Sequence, residues 1–91
     1  MQFRWDPAKA RRNLSKHRVS FDEATTVFRD PLAMILDDPD HSASETREIL
    51  LGRSMAGRLL LLSFVERGEA IRIISARRAS SRERRAYEEG K

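Results

Sequence analysis

The stretch Arg58–Val65 constrains this chain more than any other, because Leu59, Leu60, Leu61 and Leu62 run together and Phe64 and Val65 follow after a single serine. An alternating strand can rest one face on a core and wet the other, whereas an uninterrupted apolar strand has to be covered on both faces. The segment is therefore expected at the centre of a sheet. Ala56–Gly57 and Arg67–Gly68 flank it with turn residues, and each turn leads into another strand-like run. Before it, Arg47–Arg53 alternates with period two, placing Arg47, Ile49, Leu51 and Arg53 on one face and Glu48, Leu50 and Gly52 on the other. After it comes Ala70–Arg78, so three hairpin-linked strands should form an antiparallel meander.

The remaining segments read mostly as helices. Phe3–Trp5 suits a short edge strand. Asp6–Pro7 then has the form of a helix start, with Asp as N-cap and Pro at the first helical position. That helix should run to about Lys16, with Ala8, Ala10 and Leu14 as a thin apolar stripe closed at one end by Trp5. Lys9, Arg12 and Lys16 should share an exposed flank. Ser20 and Glu23 have capping-box spacing, with Val19 and Ala24 at the staple positions. Phe21, Ala24, Val27 and Phe28 give this second helix one buried face, and Asp30–Pro31 ends it. Leu32–Leu36 can form a strand, and Asp37–Ser42 is a turn-forming polar cluster. Ser80 and Glu83 repeat the capping-box spacing and open a helix to about Glu89. Only Ala86 and Tyr87 are apolar within it, so it should rest on the sheet edge or be completed by another chain. A chain of 91 residues holds one core. The expectation is a single α+β domain over residues 1–91: an antiparallel sheet of four to five strands, two N-terminal helices and one C-terminal helix.

Charge is unevenly placed. Residues 1–20 carry six Lys/Arg against one Asp, residues 21–50 two against eight acids, and residues 51–91 ten against five. Of the eighteen cations only Lys9, Lys16 and Lys91 are Lys, and an Arg guanidinium grips phosphate or carboxylate with two hydrogen bonds at once. A phosphate-bearing partner fits; a solvated charged surface is the plain alternative. Cysteine is absent, which removes thiolate nucleophiles, zinc–thiolate sites and iron–sulfur clusters. The longest apolar run falls far below the roughly 18–20 residues of a membrane span, and MQFRWDPAKARR lacks the apolar stretch of a signal peptide. A cytoplasmic protein with no membrane contact is expected.

Arg72 lies inside an apolar strand that Arg77 and Arg78 close. Strict alternation puts Arg72 and Arg78 on one face and Arg77 on the other. A guanidinium in a sheet must be paired or must line an open cleft. Arg72 could pair across strands with Glu48 or Glu66, or join Arg53 and Arg77 or Arg78 in a concave basic surface. Such a surface suits RNA cleavage, because the neighbouring 2′-hydroxyl is the nucleophile. The protein has only to align it, take its proton, stabilise the phosphoryl charge and protonate the leaving oxygen. Candidate proton carriers are His17, His41, Glu83 and Tyr87; the plain reading of His17 is a hydrogen-bonding surface residue, and of Tyr87 the apolar anchor of the last helix. The Asp37–His41 cluster lacks the Gly and distal Glu of a calcium loop, and no phosphate loop, nucleophile elbow or zinc motif occurs. A mechanism without metal or other cofactor is favoured.

The spaced set Phe3, Trp5, Asp6, Pro7, Lys9, Ala10, Asn13, Lys16, His17, Val19, Ser20, Phe21, Glu23 and Ala24, then Leu51-Gly52-Arg53-Ser54, then Arg72-Ile73-Ile74-Ser75-Ala76-Arg77-Arg78-Ala79 with Glu83 and Tyr87 behind it, resembles the BrnT toxin family. Arg18 departs from that pattern, standing where many relatives have Gly. The resemblance implies a type II toxin with a RelE-like fold. It further implies a ribonuclease that blocks translation and is neutralised by a BrnA-like antitoxin, through which alone DNA is contacted. The candidate catalytic residues are Arg53, Arg72, Arg77, Arg78, Glu83 and His17, and the candidate RNA contacts Trp5, Lys9, Lys16, Arg58 and Tyr87. The competing reading is a non-enzymatic module that binds RNA or protein.

Overall fold

The structure, a computed structural model, describes residues 1–37 and 47–90. The expected turn at Asp37–Ser42, His41 included, lies outside them apart from Asp37, which ends a strand. Strands β1 (Gln2–Arg4), β2 (Met34–Asp37), β3 (Glu48–Arg53), β4 (Leu59–Arg67) and β5 (Ala70–Arg78) form one sheet in the order β1-β5-β4-β3-β2. Helices α1 (Pro7–His17) and α2 (Phe21–Thr26), the latter continued by a 3₁₀ turn over Val27–Arg29, follow β1, and α3 (Ser81–Glu89) follows β5. Among the described residues no helix is long and apolar enough to cross a membrane.

The leucine-rich strand β4 is central, as its composition requires. Leu60, Leu62 and Phe64 face α1 and α2, where they pack with Val19, Phe21, Ala24, Val27, Leu50, Ile71, Ile73 and Ala76. Leu59 faces the other way, with Leu51 and Tyr87. Rings extend the larger core to its rim: Phe28 lies 5.1 Å from both Phe3 and Phe64, and Trp5 meets Phe21 edge-on at 5.9 Å. Gly52 is fixed by this packing, because a Cβ there would come within 2.9 Å of both Ala33 Cβ and Val27 Cγ1.

Two expectations are corrected. The sheet is mixed, since β1 runs parallel to β5 with Gln2 opposite Ala70 and Arg4 opposite Arg72. Hairpin turns fix the directions of β3, β4 and β5, but nothing within a tripeptide encodes the direction of a partner so distant in sequence. The second correction is a bulge in β5. Ser75 pairs with Ser63, yet Ile73 pairs with Phe64, so Ile74 is an extra residue that shifts the alternation by one. Arg72 and Arg77 therefore share the α3 face of the sheet, while Arg78, opposite Leu60, is on the α1–α2 face.

The helix ends follow their local chemistry. Asp6 Oδ1 accepts from Ala8 N–H at 3.0 Å, as an N-cap should. Arg18 ends α1 in the left-handed region, with φ 60° and ψ 31°, and its N–H donates to Leu14 O. That conformation suits glycine and strains any residue with a Cβ.

Candidate nucleic-acid interface

Strand β1 covers only Ala70, Ile71 and Arg72 of β5, and the outer edge of the remaining half is met by α1. Asn13 takes the place of a neighbouring strand there. Its side-chain oxygen accepts from Ala76 N–H at 3.1 Å, and its amide donates to Ala76 O at 2.8 Å and to Val19 O at 2.9 Å. Two basic clefts flank this join. One, of about 340 Å³, is lined by Lys9, Arg12, Asn13, Lys16, His17 and Ile74. The other, of about 330 Å³, is lined by Gly57, Arg58, Leu59, Arg78, Ala79 and Arg84. Of the sequence candidates, the structure thus gathers Lys9, Lys16 and His17 into one cleft and Arg58 and Arg78 into the other. Arg58 also ties the two regions together, because its Nη2 donates to the carbonyl of Arg18, next to His17.

The electrostatics of the second cleft depend on Glu23. The expected capping box at Ser20 is half formed: Ser20 Oγ accepts from Glu23 N–H at 3.0 Å, but the Glu23 carboxylate turns to Arg58 Nε at 3.0 Å, Arg58 Nη2, and Ser54 Oγ at 2.7 Å. The hydrogen bonds from Arg58 hold the Glu23 carboxyl below its ordinary range, against a weaker opposing effect of burial. Arg58 is thereby fixed as a partly buried side chain and is not a free surface cation. Arg78 and Arg84 make no side-chain hydrogen bond or ion pair among the described residues.

The other sheet arginines are engaged with α3. Arg77 meets Glu83 with two parallel bonds, Nη1 to Oε1 at 2.9 Å and Nη2 to Oε2 at 2.8 Å, and this pairing lowers the Glu83 carboxyl. Glu83 also completes the second capping box by accepting from Ser80 N–H. The Arg53 guanidinium lies 5.6 Å from the centre of the Tyr87 ring, and its Nη1 donates to Gly57 O. Tyr87 is 5% exposed and donates its hydroxyl to Asp30 Oδ2 at 2.7 Å. It is an anchor of α3 and not an open contact. Burial, followed by the bond to Asp30, raises the Tyr87 phenol. Burial works to raise Asp30 as well, but hydrogen bonds from Arg53 N–H, the Tyr87 hydroxyl and Leu32 N–H together outweigh it and keep that carboxyl low.

Arg72 is half-buried and forms no ion pair with Glu48 or Glu66, because both of those residues lie on the opposite face of the sheet. Glu48 instead shares a hydrogen bond with Glu66, which, with burial and like charge, raises its carboxyl. Trp5 is half-buried against Phe21 beside a third, mainly apolar cleft that also takes in Leu14. The candidates therefore do not converge in one hollow. Sequence reasoning missed the roles of Asn13, Asp30 and Arg84. Asn13 is one polar residue among many in α1, Asp30 reads locally only as a helix stop, and Arg84 carries no local signal. Among the described residues no group of three or more His, Asp or Glu side chains is placed to hold a metal ion.

A family model described as the ribonuclease toxin, BrnT, of type II toxin–antitoxin systems matches residues 5–83. This chain belongs to the BrnT toxin family. The match spans α1, the whole meander and the start of α3, and so takes in both clefts except for Arg84. No curated protein matches the sequence. Among solved structures, the 1.1 Å crystal structure of the Brucella abortus ribonuclease toxin BrnT aligns with a TM-score of 0.68 at 24% identity, covering 89% of this chain and 99% of that one. That likeness concerns the fold, and it agrees with a mixed five-stranded sheet carrying three helices.

Proposed function

We propose that this BrnT-family toxin is a metal-independent endoribonuclease that cleaves RNA by attack of a ribose 2′-hydroxyl on the adjacent phosphate. The observation that carries this reading is the grouping of His17 with Lys9, Arg12 and Lys16 in one cleft, beside a second cleft that holds Arg58, Arg78 and Arg84. An imidazole can take the 2′-hydroxyl proton, and fixed cations stabilise the charge that builds on the phosphoryl oxygens. Arg78 is the sheet arginine whose position best suits direct phosphate contact. Arg53, Arg77, Glu83 and Tyr87 act by holding α3, and Arg72 and Trp5 are outlying contacts. We further read the domain as RelE-like, acting in the cytoplasm to inhibit translation, neutralised by a BrnA-like antitoxin and meeting DNA only through that partner.

Purified protein should cut single-stranded RNA in the presence of a chelator and leave a 2′,3′-cyclic phosphate. His17→Ala should lower the rate about 10²-fold or more, whereas Arg78→Ala should act mainly by raising KM, with Arg72→Ala affected less. RNA that stays bound but intact under these conditions would instead support the non-enzymatic module, whose binding should still weaken steeply with salt. Co-expression with the product of the neighbouring reading frame should yield a stable complex; its absence would count against the antitoxin assignment.

A further inference from the structure

We propose that the Arg58–Arg78–Arg84 cleft is a phosphate-binding subsite, organised by Glu23, that takes an RNA phosphate other than the one at the bond being cut. Its place in RNA recognition rests on the ribonuclease reading above, whereas its affinity for phosphate does not. The three guanidiniums come from three separate elements: the β3–β4 turn, the end of β5 and the first half of α3. Like charges gathered in this way repel one another, and among the described residues the carboxylate hydrogen-bonded to the group is that of Glu23, through Arg58. Among the described residues Arg78 and Arg84 have no hydrogen-bonded carboxylate of their own, and Glu23, whose carboxyl also feels the Arg78 charge, is one anion set against three cations. The arrangement is thus short of negative charge at a defined place, and a phosphate supplies it.

The cleft is also built to hold its ligand in a fixed geometry. Arg58 uses Nε and Nη2 on Glu23 and on the carbonyl of Arg18, which leaves Nη1 uncommitted among the described residues. Glu23 is itself held by Ser54 Oγ, and that oxygen also accepts from the N–H groups of Ala56 and Arg58. The turn that carries Arg58 and the carboxylate that aims it therefore form one unit. Gly57, with φ +85° and no atom within 4 Å of where a Cβ would stand, keeps the mouth open. Ala79 adds little bulk to the lining, and about 330 Å³ accommodates a phosphate with part of its ribose. Glu23 acts through Arg58 and is a positioning residue. Arg84 lies just beyond the segment matched by the family model.

The test is a titration of the full chain with inorganic phosphate at constant ionic strength, followed by NMR, with acetate as the carboxylate control. Phosphate should bind more tightly than acetate and shift the Gly57, Ala79 and Arg84 amides. Arg78→Ala and Arg84→Ala should each weaken it roughly fivefold or more. Glu23→Gln should also weaken it, although that change makes the chain more positive; tighter binding would overturn the organising role of Glu23. Equal affinity for phosphate and acetate, or arginine variants that bind like the parent with native amide spectra, would overturn the subsite. In the cleavage assay Arg84→Ala should raise KM about tenfold and more than it lowers kcat. Lost phosphate binding without a KM change would remove the cleft from RNA recognition. Phosphate binding by a chain that cuts no RNA would sink the ribonuclease reading and leave the subsite standing.

Discussion

On the α1–α2 face of the sheet, Val19, Phe21, Ala24 and Val27 are each at most 2% exposed and press on Leu60, Leu62, Phe64 and Ile73. On the α3 face, Tyr87 is the one buried residue of its helix, and its hydroxyl bond to Asp30, the Arg53 guanidinium over its ring and the Arg77–Glu83 pair supply the rest of the attachment. The contrast explains which cations are open to a ligand. Apolar burial holds α1 and α2 in place, so Lys9, Arg12, Lys16 and Arg78 at the margin of that face keep their charges uncommitted to hydrogen-bonded carboxylates among the described residues. A helix with a single buried ring needs polar ties, and Arg53 and Arg77 provide them.

Large-to-small substitutions test this contrast most strongly. Phe21→Ala should cost about 3–5 kcal/mol by removing a ring from the larger core, whereas Tyr87→Phe, which keeps the ring and deletes the hydroxyl bond to a carboxylate, should cost about 1–2 kcal/mol. Equal losses in urea unfolding would mean that the two faces are not held differently. Asn13→Ala should cost about 1–3 kcal/mol, because it leaves the buried backbone groups of Ala76 without partners. Hydrogen exchange at the Ala76 amide should rise in that variant well above the rise at Leu62.

Acid should loosen the polar ties of the α3 face. Glu83 and Asp30 have folded-state carboxyls held below their ordinary values of 4.5 and 3.8. Their stabilisation is therefore complete above those values and is lost as pH falls through the lowered folded ones. Glu23 behaves in the same way on the opposite face. Glu48 has the reverse sign: its raised carboxyl favours the folded state toward lower pH and loses that advantage as pH rises through the raised value. Thermal melts from about pH 7 to about pH 2 should fall at the acid end, and Glu83→Gln should flatten that fall; an unchanged slope would show the Arg77–Glu83 pair to be idle. Smallest of all, Arg18→Gly should stabilise the protein by up to about 1 kcal/mol, since it relieves a left-handed residue at the end of α1. A lower melting temperature would mean that the Arg18 side chain matters more than its backbone strain.

Most elements were legible where their signals are local. The Asp6–Pro7 start, the Ser80–Glu83 box, the two glycine turns and the apolar run of β4 all act within a few residues, and the structure places each one as expected. The basic flank of Lys9, Arg12 and Lys16 follows from helical spacing in the same way. The partition of the sheet arginines was not legible, because a single bulge at Ile74 moves Arg72 away from the face of Arg78. Glu23 was likewise read as a capping residue, since Arg58, thirty-five positions away, competes for its carboxylate only after the chain has folded.

By itself the sequence determined a central strand buried on both faces, the helices packed around it, an excess of arginine and the family to which the chain belongs. These depend on periodicity, capping chemistry and spaced identities, all of which are written along the chain. Tertiary structure alone decided the parallel pairing of β1 and the sharing of the guanidiniums between carboxylates, an aromatic ring and open clefts. The reason is physical: an arginine side chain is long and multiply donating, so its partner is set by which acceptors folding brings within about 3 Å, and that distance has no counterpart in sequence separation.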